Sequence, residues 1–422
     1  MDLLRELSVG IWGLGVVGKS VASFLDRQGI KYSVYDSKLT PEKSLETFLE
    51  DNQIIIPSPG IDLNPYKKYS NKFLAEVDLF FKYFKKPAIA ITGSLGKTTV
   101  TFLLDQMLKQ NGIRSVAGGN IGLAMCSLIE QQKDIDIAVL ELSSFQLEHS
   151  HDFYSNLAVL TNLYPNHLDR HGTLENYKQA KLNLFRKQTP SDVALIPLSL
   201  HADVKDFKSC CYFFSSDFDQ FDKFKNVYYL EKETVCFWDG RAKRPIIQLS
   251  QEQKDLTFLE NWLIVCAVLD LKKLKKFDLS KDAALPKHRM ERISIEGVTF
   301  YNDSKSTVME ATLKAVESCN QPILFLGGLS KGADRGLLIA QLKTKVRFVI
   351  CFGKEAEDLD RLCKRNGISS KSFKQLEAAV KFCLDSVQKG DDVLFSPGGS
   401  SFDLFENYCA RGDKFKELIL GI

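Results

Sequence analysis

Residues 88–104, AIAITGSLGKTTVTFLL, decide how the rest of the chain is read. The apolar run Ala88–Ile91 breaks at Thr92-Gly93. Gly96-Lys97-Thr98-Thr99 then opens a stretch that puts Val100, Leu103, Leu104, Met107 and Leu108 on one helical side before Asn111-Gly112 ends it. Strand, glycine loop and helix in this order aim successive backbone N–H groups at one point in front of a helix N-terminus, which suits a polyphosphate. Gly93, Ser94, Gly96, Lys97, Thr98 and Thr99 are therefore candidate nucleotide ligands, with Lys97 on the terminal phosphate oxygens and the Thr98 hydroxyl on Mg²⁺. Only Ser94 and Leu95 separate Gly93 from Gly96-Lys97, where the usual phosphate loop has a longer insert. A plain glycine turn is the alternative.

A chain of 422 residues is too long for one core and predicts two to three domains. With 56 basic and 53 acidic side chains its net charge is +3, which gives no reason to expect nucleic acid as a partner. The lysine-rich piece 272–276 reads as a solvated helix end. Ten cysteines include no C-x-x-C pair, and Cys126, Cys266, Cys351 and Cys383 lie in apolar runs, so they read as reduced core residues. The first residues, MDLLRELSVGIWGLG, lack the basic start of a signal peptide, and no apolar run approaches the length of a membrane span. The expectation is a cytoplasmic protein without membrane insertion.

The strand Ser8–Trp12 runs into Gly13-Leu14-Gly15-Val16-Val17-Gly18, and a second strand, Tyr32–Tyr35, ends at Asp36. Glycines at the turn and an acid about 20 residues on form the dinucleotide fingerprint. NAD, or another nucleotide's phosphates on the same βαβ unit, both fit it. The turn Pro57-Ser58-Pro59-Gly60 would face the same crevice, and 71–86 reads as a helix. Beyond it, short apolar runs alternate with helical segments (137–142, 157–163, 193–197; then 323–326, 348–352, 393–395), the pattern of parallel sheets covered on both faces. The expected fold class is α/β in three domains: a Rossmann-like domain at 1–76, a central phosphate-loop sheet at 77–285 and a doubly wound sheet at 286–422.

Three further groups carry candidate chemistry. Glu141, at a strand's carboxyl end, can reach a phosphate-bound Mg²⁺. His167 lies among Asn, Asp and Arg in 162–171, whereas His149 and His151 read as surface residues. Lys181 sits on a helix where a solvated lysine is the default. In the last third, 302–307 (NDSKST) and 327–334 (GGLSKGAD) follow successive strands, and their basic members suit carboxylate and phosphate.

With these motifs on view, the chain resembles the Mur ligases over its whole length. TGSLGKTT, GGNIG (118–122), ELSSFQLE (141–148), NHLDRHG (166–172), the lysine of YKQAK, HRME (288–291), NDSKST and GGLSKGAD stand in that family's order. ELSSFQLE, SPGI and the closing SPGGSSFDLFENYCARGDKF are most similar to its D-glutamate-adding branch. The resemblance implies an ATP-dependent amide ligase of peptidoglycan precursor synthesis that joins D-glutamate to UDP-N-acetylmuramoyl-L-alanine as a monomer. It implies Gly15, Val16, Val17, Asp36, Ser37, Lys38 and Gly60 around the UDP, and Asn120 on the muramoyl part. ATP would be held by the glycine loop with Asn261, Arg289, Asp303 and Lys305. Two Mg²⁺ ions would be served by Thr98, Glu141, His167 and Lys181, the last as a CO₂-derived carbamate, with Lys97, His167 and Lys181 catalytic. Thr307, Lys331, Ser401, Phe402 and Tyr408 would line the D-glutamate pocket. Three positions depart from the family pattern: Phe258 in the adenine segment, Leu95 in the loop, and the Val16-Val17 pair.

Overall fold

The computed structural model describes residues 3–220, 222–277, 285–330 and 334–421. The chain divides into two compact units: Met1–Leu163 with Glu175–Asp255 and Leu259–Ala283, and Tyr164–Leu174 with Leu256–Phe258 and Ala284–Ile422.

The first unit holds two sheets. β1 (Val9–Trp12), β2 (Tyr32–Tyr35) and β3 (Ile54–Pro57) pair in parallel in the order β2-β1-β3. The helix Val16–Gln28 packs so closely on β1 that a Cβ on Gly18 would overlap the Gly13 carbonyl. The central strands are β4 (Ala88–Thr92), β5 (Ser115–Gly119), β6 (Ile137–Glu141), β7 (Leu157–Leu160), β8 (Val193–Pro197), β9 (Cys210–Ser215), β10 (Val227–Glu231), β11 (Thr234–Trp238) and β12 (Lys243–Gln248). They form one sheet in the order β12-β11-β10-β9-β8-β7-β4-β6-β5. β4, β6, β7, β8 and β9 are parallel and apolar because helices cover both faces. The ribbon β10-β11-β12 is antiparallel and departs from the all-parallel expectation. Its edge strand alternates little and carries Lys243, Arg244 and Pro245, which suits an uncovered edge. One apolar core, including Phe24, Phe80, Leu128 and Leu140, joins the two sheets of this unit.

The expected helix at 71–86 is shorter. Asn64–Lys72 is a kinked 3₁₀ segment, and the α-helix runs only over Glu76–Tyr83. Ser70-Asn71 interrupts the apolar period, and Phe73 instead forms an isolated parallel bridge with Ile55 of β3, Leu74 N–H donating to Ile55 O at 2.9 Å. The helix Leu259–Leu271 is buried from Asn261 to Leu269, and Lys272, Lys273, Lys275 and Lys276 beyond it are exposed, as expected.

The second unit is a six-stranded sheet of β13 (Glu291–Ile295), β14 (Val298–Asn302), β15 (Ile323–Gly327), β16 (Phe348–Phe352), β17 (Ser370–Phe373) and β18 (Asp392–Phe395), in the order β13-β14-β18-β15-β16-β17. All pairs are parallel except the β13–β14 hairpin, whose turn residues Glu296 and Gly297 both have positive φ (50° and 85°). Phe325, Phe352, Phe395 and Phe415 cluster on one face, with Phe395 and Phe415 stacked at 4.1 Å between centroids. Consequently the loops after β14, β18, β15 and β16 all open at one carboxyl edge.

Substituting Gly18→Ala should lower stability by about 1–3 kcal/mol through overpacking. Gly15→Ala, where nothing lies within 4 Å of a new Cβ, should change it little. Urea midpoints of the two variants check this, and equal midpoints would contradict the close helix–strand approach.

Candidate functional site

The glycine loop sits between β4 and the helix Lys97–Gln110. Gly93 and Gly96 have φ of 145° and 79°. A Cβ on the first would overlap Thr161 Oγ1 and on the second would come 2.6 Å from Asn261 Oδ1. Backbone conformation and space thus both demand glycine. Two residues at the end of β7 clamp the loop. Asn162 Oδ1 accepts the Leu95 N–H at 2.8 Å, and Asn162 Nδ2 and Thr161 Oγ1 donate to the Leu95 carbonyl. Thr98 and Thr99 are buried in the first turn of the helix.

Two lysines converge on one carbonyl of this loop. Lys97 Nζ donates to Gly93 O at 2.8 Å and Ser94 O at 3.1 Å. Lys181, on the helix Leu174–Leu182, is 1% exposed, and its Nζ donates to the same Gly93 O at 2.8 Å. Its ammonium also lies 4.6 Å from the centre of the Tyr177 ring, one helical turn back, and the Tyr177 hydroxyl meets Ser94 Oγ at 3.1 Å. Burial, and then the charge of Lys97, hold the pKa of Lys181 well below the ordinary lysine value, while Glu141 opposes them. The solvated lysine expected by default on this helix is therefore a buried amine.

Glu141, at the end of β6, is 2% exposed. Its Oε1 accepts from Asn120 Nδ2 at 2.9 Å, and Oε2 has no hydrogen-bond partner. A buried carboxylate oxygen left without a donor calls for a cation. Among the described residues no group of three His, Cys, Asp or Glu could hold a metal by itself. Glu141, the Thr98 hydroxyl and the glycine cradle instead fit a divalent ion that arrives with nucleotide phosphates.

Loops after the three strands of the small sheet share an edge. Gly15 caps the helix, Val16 is 79% exposed at its start, Ser37, Lys38 and Gly60 are exposed, and Ser58 Oγ donates to Gly13 O at 3.0 Å. Asp36 braces this edge. Its Oδ2 accepts the Leu14 N–H at 2.8 Å and its Oδ1 the Lys38 N–H at 2.9 Å, and these bonds, the Leu14 one foremost, lower its pKa. Both carboxylate oxygens of Asp36 thus hold the first glycine turn and the loop after β2 together.

The remaining candidates lie in the second unit. His167 precedes the short helix Leu168–His171 in a left-handed conformation, φ 54°. Asp303 follows β14. Burial raises its pKa to about 7, against Ser396 Oγ–H donation at 2.9 Å and the charges of Arg289 and Arg411. Lys305 Nζ stands 3.9 Å from the centre of the Tyr408 ring. Thr307 lines a small cavity with Val308, Ser330, Arg335 and Gly398. Ser401 is buried and accepts the Phe405 N–H at 2.9 Å through its carbonyl, whereas Phe402 is 71% exposed. Lys331 lies outside the described residues.

Thr161, Asn162 and Tyr177 carry no role in the sequence reading, yet they shape the loop. Only Tyr177 left a signal, its i,i+4 spacing from Lys181. A glycine cradle, two lysines on one carbonyl and an unmet buried carboxylate oxygen define a phosphate-loop enzyme of the nucleoside-triphosphate-using class. Residues 91–268 match the Mur ligase middle domain and 288–399 the Mur ligase glutamate ligase domain. The UDP-N-acetylmuramoylalanine–D-glutamate ligase of Koribacter versatilis (strain Ellin345) is 33% identical, covering 99% of this chain and 98% of its own. The protein of that name from Desulfotalea psychrophila is 35% identical over 88% and 83%. Among solved structures, the MurF ligase of Thermotoga maritima in complex with ADP matches at TM-score 0.58, with 20% identity over 89% and 90% of the chains. The chain belongs to the Mur ligase family, in its D-glutamate ligase branch.

A lysine whose pKa is lower folded than unfolded binds fewer protons when folded, so stability rises with pH up to the unfolded value near 10.5. In CO₂-free buffer the stability of wild type relative to Lys181→Met should therefore climb as pH approaches 10.5 and level off above it. Parallel pH profiles would show that the amine is not perturbed.

Proposed function

We propose that this chain joins D-glutamate to UDP-N-acetylmuramoyl-L-alanine at the expense of ATP. The alanyl carboxylate oxygen attacks the γ-phosphorus, ADP leaves, and an acyl phosphate forms. The amine of D-glutamate then adds to the acyl carbon, loses a proton, and inorganic phosphate departs to leave the amide. Such phosphoryl transfer asks the protein for alignment and charge neutralisation more than for covalent chemistry.

The observation that carries this reading is the buried Lys181 amine beside the glycine loop and the unmet Glu141 oxygen. Lys97 turns from the loop carbonyls to the phosphates when nucleotide enters. Lys181, whose pKa is held well below the ordinary lysine value by burial and then by the charge of Lys97, would add CO₂ and lose a proton, which puts a carboxylate where the amine stood. Thr98, Glu141, His167 and that carbamate would hold two Mg²⁺ ions, which supply neutralisation of the oxygens around the transferred phosphoryl group. Asn120, bonded to Glu141, ties the muramoyl-side loop to the metal side. Residues 1–76 would take the UDP moiety. Arg289, Asp303 and Lys305 would complete the ATP site, with Thr307, Lys331, Ser401, Phe402 and Tyr408 around D-glutamate.

Phosphate release from Mg-ATP and UDP-N-acetylmuramoyl-L-alanine should require D-glutamate and not proceed with L-lysine, meso-diaminopimelate or L-glutamate. Lys97→Met should reduce kcat by about 100-fold or more, the scale seen when one charge-stabilising donor is lost. Release supported by a different amino acid would overturn the acceptor, and full turnover by Lys97→Met would overturn the site.

A further inference from the structure

Arg335 begins the short helix Arg335–Ala340, directly after the capping Asp334. The structure places it inside. The residue is 7% exposed, and it lines the small cavity together with Thr307, Ser330 and Gly398. Nη2 donates to Gly328 O at 3.1 Å and Gly398 O at 3.3 Å, which fixes the plane of the fork. Gly399 leaves the room for it, since a Cβ there would overlap Nη2. Nη1 is ion-paired with Glu355 Oε2 at 3.2 Å but outside hydrogen-bond geometry, so this buried donor makes no hydrogen bond. Glu355 is itself engaged, its Oε1 accepting the Ser330 N–H at 3.1 Å. A guanidinium kept dry, held in plane by backbone carbonyls and left with one N–H that makes no hydrogen bond is suited to receive a carboxylate.

We propose that Arg335 binds a carboxylate of the acceptor amino acid and is a specificity-determining residue of that pocket. The inference rests on the ligase reading above. It adds a cation to the residues that line this cavity with Thr307. Glu355 neutralises the guanidinium while the pocket is empty, and the incoming carboxylate supplies the in-plane partner that Nη1 lacks.

Steady-state kinetics of wild type, Arg335→Met and Arg335→Lys, with each substrate varied in turn, test this. In Arg335→Met the KM for D-glutamate should rise about 10- to 100-fold, the loss expected for a hydrogen bond to a charged group. The KM values for ATP and UDP-N-acetylmuramoyl-L-alanine should stay within about 3-fold of wild type, an allowance well below the tenfold step of one lost charged contact. Arg335→Lys, which keeps the charge but not the fork, should fall between, and it carries the test should the methionine variant fail to fold. D-Glutamine separates the two carboxylates. A KM that rises for D-glutamate alone assigns Arg335 to the side-chain carboxylate, and one that rises for both assigns it to the α-carboxylate. An unchanged KM for D-glutamate, or an equal rise for all three substrates, would overturn the inference while the ligase reading stands. Should wild type use a different carboxylate-bearing amine, the comparison is made with that amine. Turnover only with amines lacking a carboxylate would overturn both.

Discussion

Two basic side chains on one backbone carbonyl set the terms for the first unit. Lys97 and Lys181 both donate to Gly93 O, and the second of them is sealed from water. Two ammonium groups cannot share a dry site cheaply, because each pays desolvation and repels the other. The solution on view is to keep Lys181 a poor base and to leave one oxygen of Glu141 unmatched nearby. The site is thus incomplete without anion and cation together. A metal–nucleotide complex would supply both, which fits the role proposed for a loop otherwise satisfied by its own lysines.

The surrounding architecture serves that placement. β4, β6 and β7 are adjacent, so the glycine loop, Glu141 and the Thr161-Asn162 clamp emerge side by side at one edge. The helix Leu174–Leu182 delivers Lys181 and Tyr177 to the same place one turn apart. At the small sheet, Asp36 is used to brace the first glycine turn, leaving the edge to backbone N–H groups and short side chains. In the second unit four strand ends converge, and buried Arg411 ties two of their loops through Ser304 and Gly399. That bracing makes the cavity beside Arg335 a formed feature of the sheet edge.

Much of this was legible in the sequence because the chemistry is local. Strand, glycine loop and helix are written within 17 residues, and each apolar run followed by Gly or Ser-Pro announces a strand ending at a ligand loop. Lys181 was legible only through family resemblance, since a lysine on a helix reads as solvated until the tertiary packing is known. Arg335 was not legible for the same reason. The ribbon β10-β11-β12 escaped because aromatic and charged residues mix on it without clean alternation, being half-buried on one side and uncovered at the edge. At Asp36 the motif was legible, but not that its carboxylate also closes a hydrogen-bonded turn.

The central claim, that a carboxylate is activated as an acyl phosphate at the glycine loop, is tested most directly by isotope transfer. UDP-N-acetylmuramoyl-L-alanine carrying ¹⁸O in its alanyl carboxylate is turned over with Mg-ATP and D-glutamate, and the released phosphate is analysed by mass spectrometry or ³¹P NMR. The account requires one ¹⁸O from the carboxylate in each phosphate released. Phosphate free of label would mean that ATP is cleaved by water or that activation takes another route, and the assignment of the loop to acyl phosphate formation would fall.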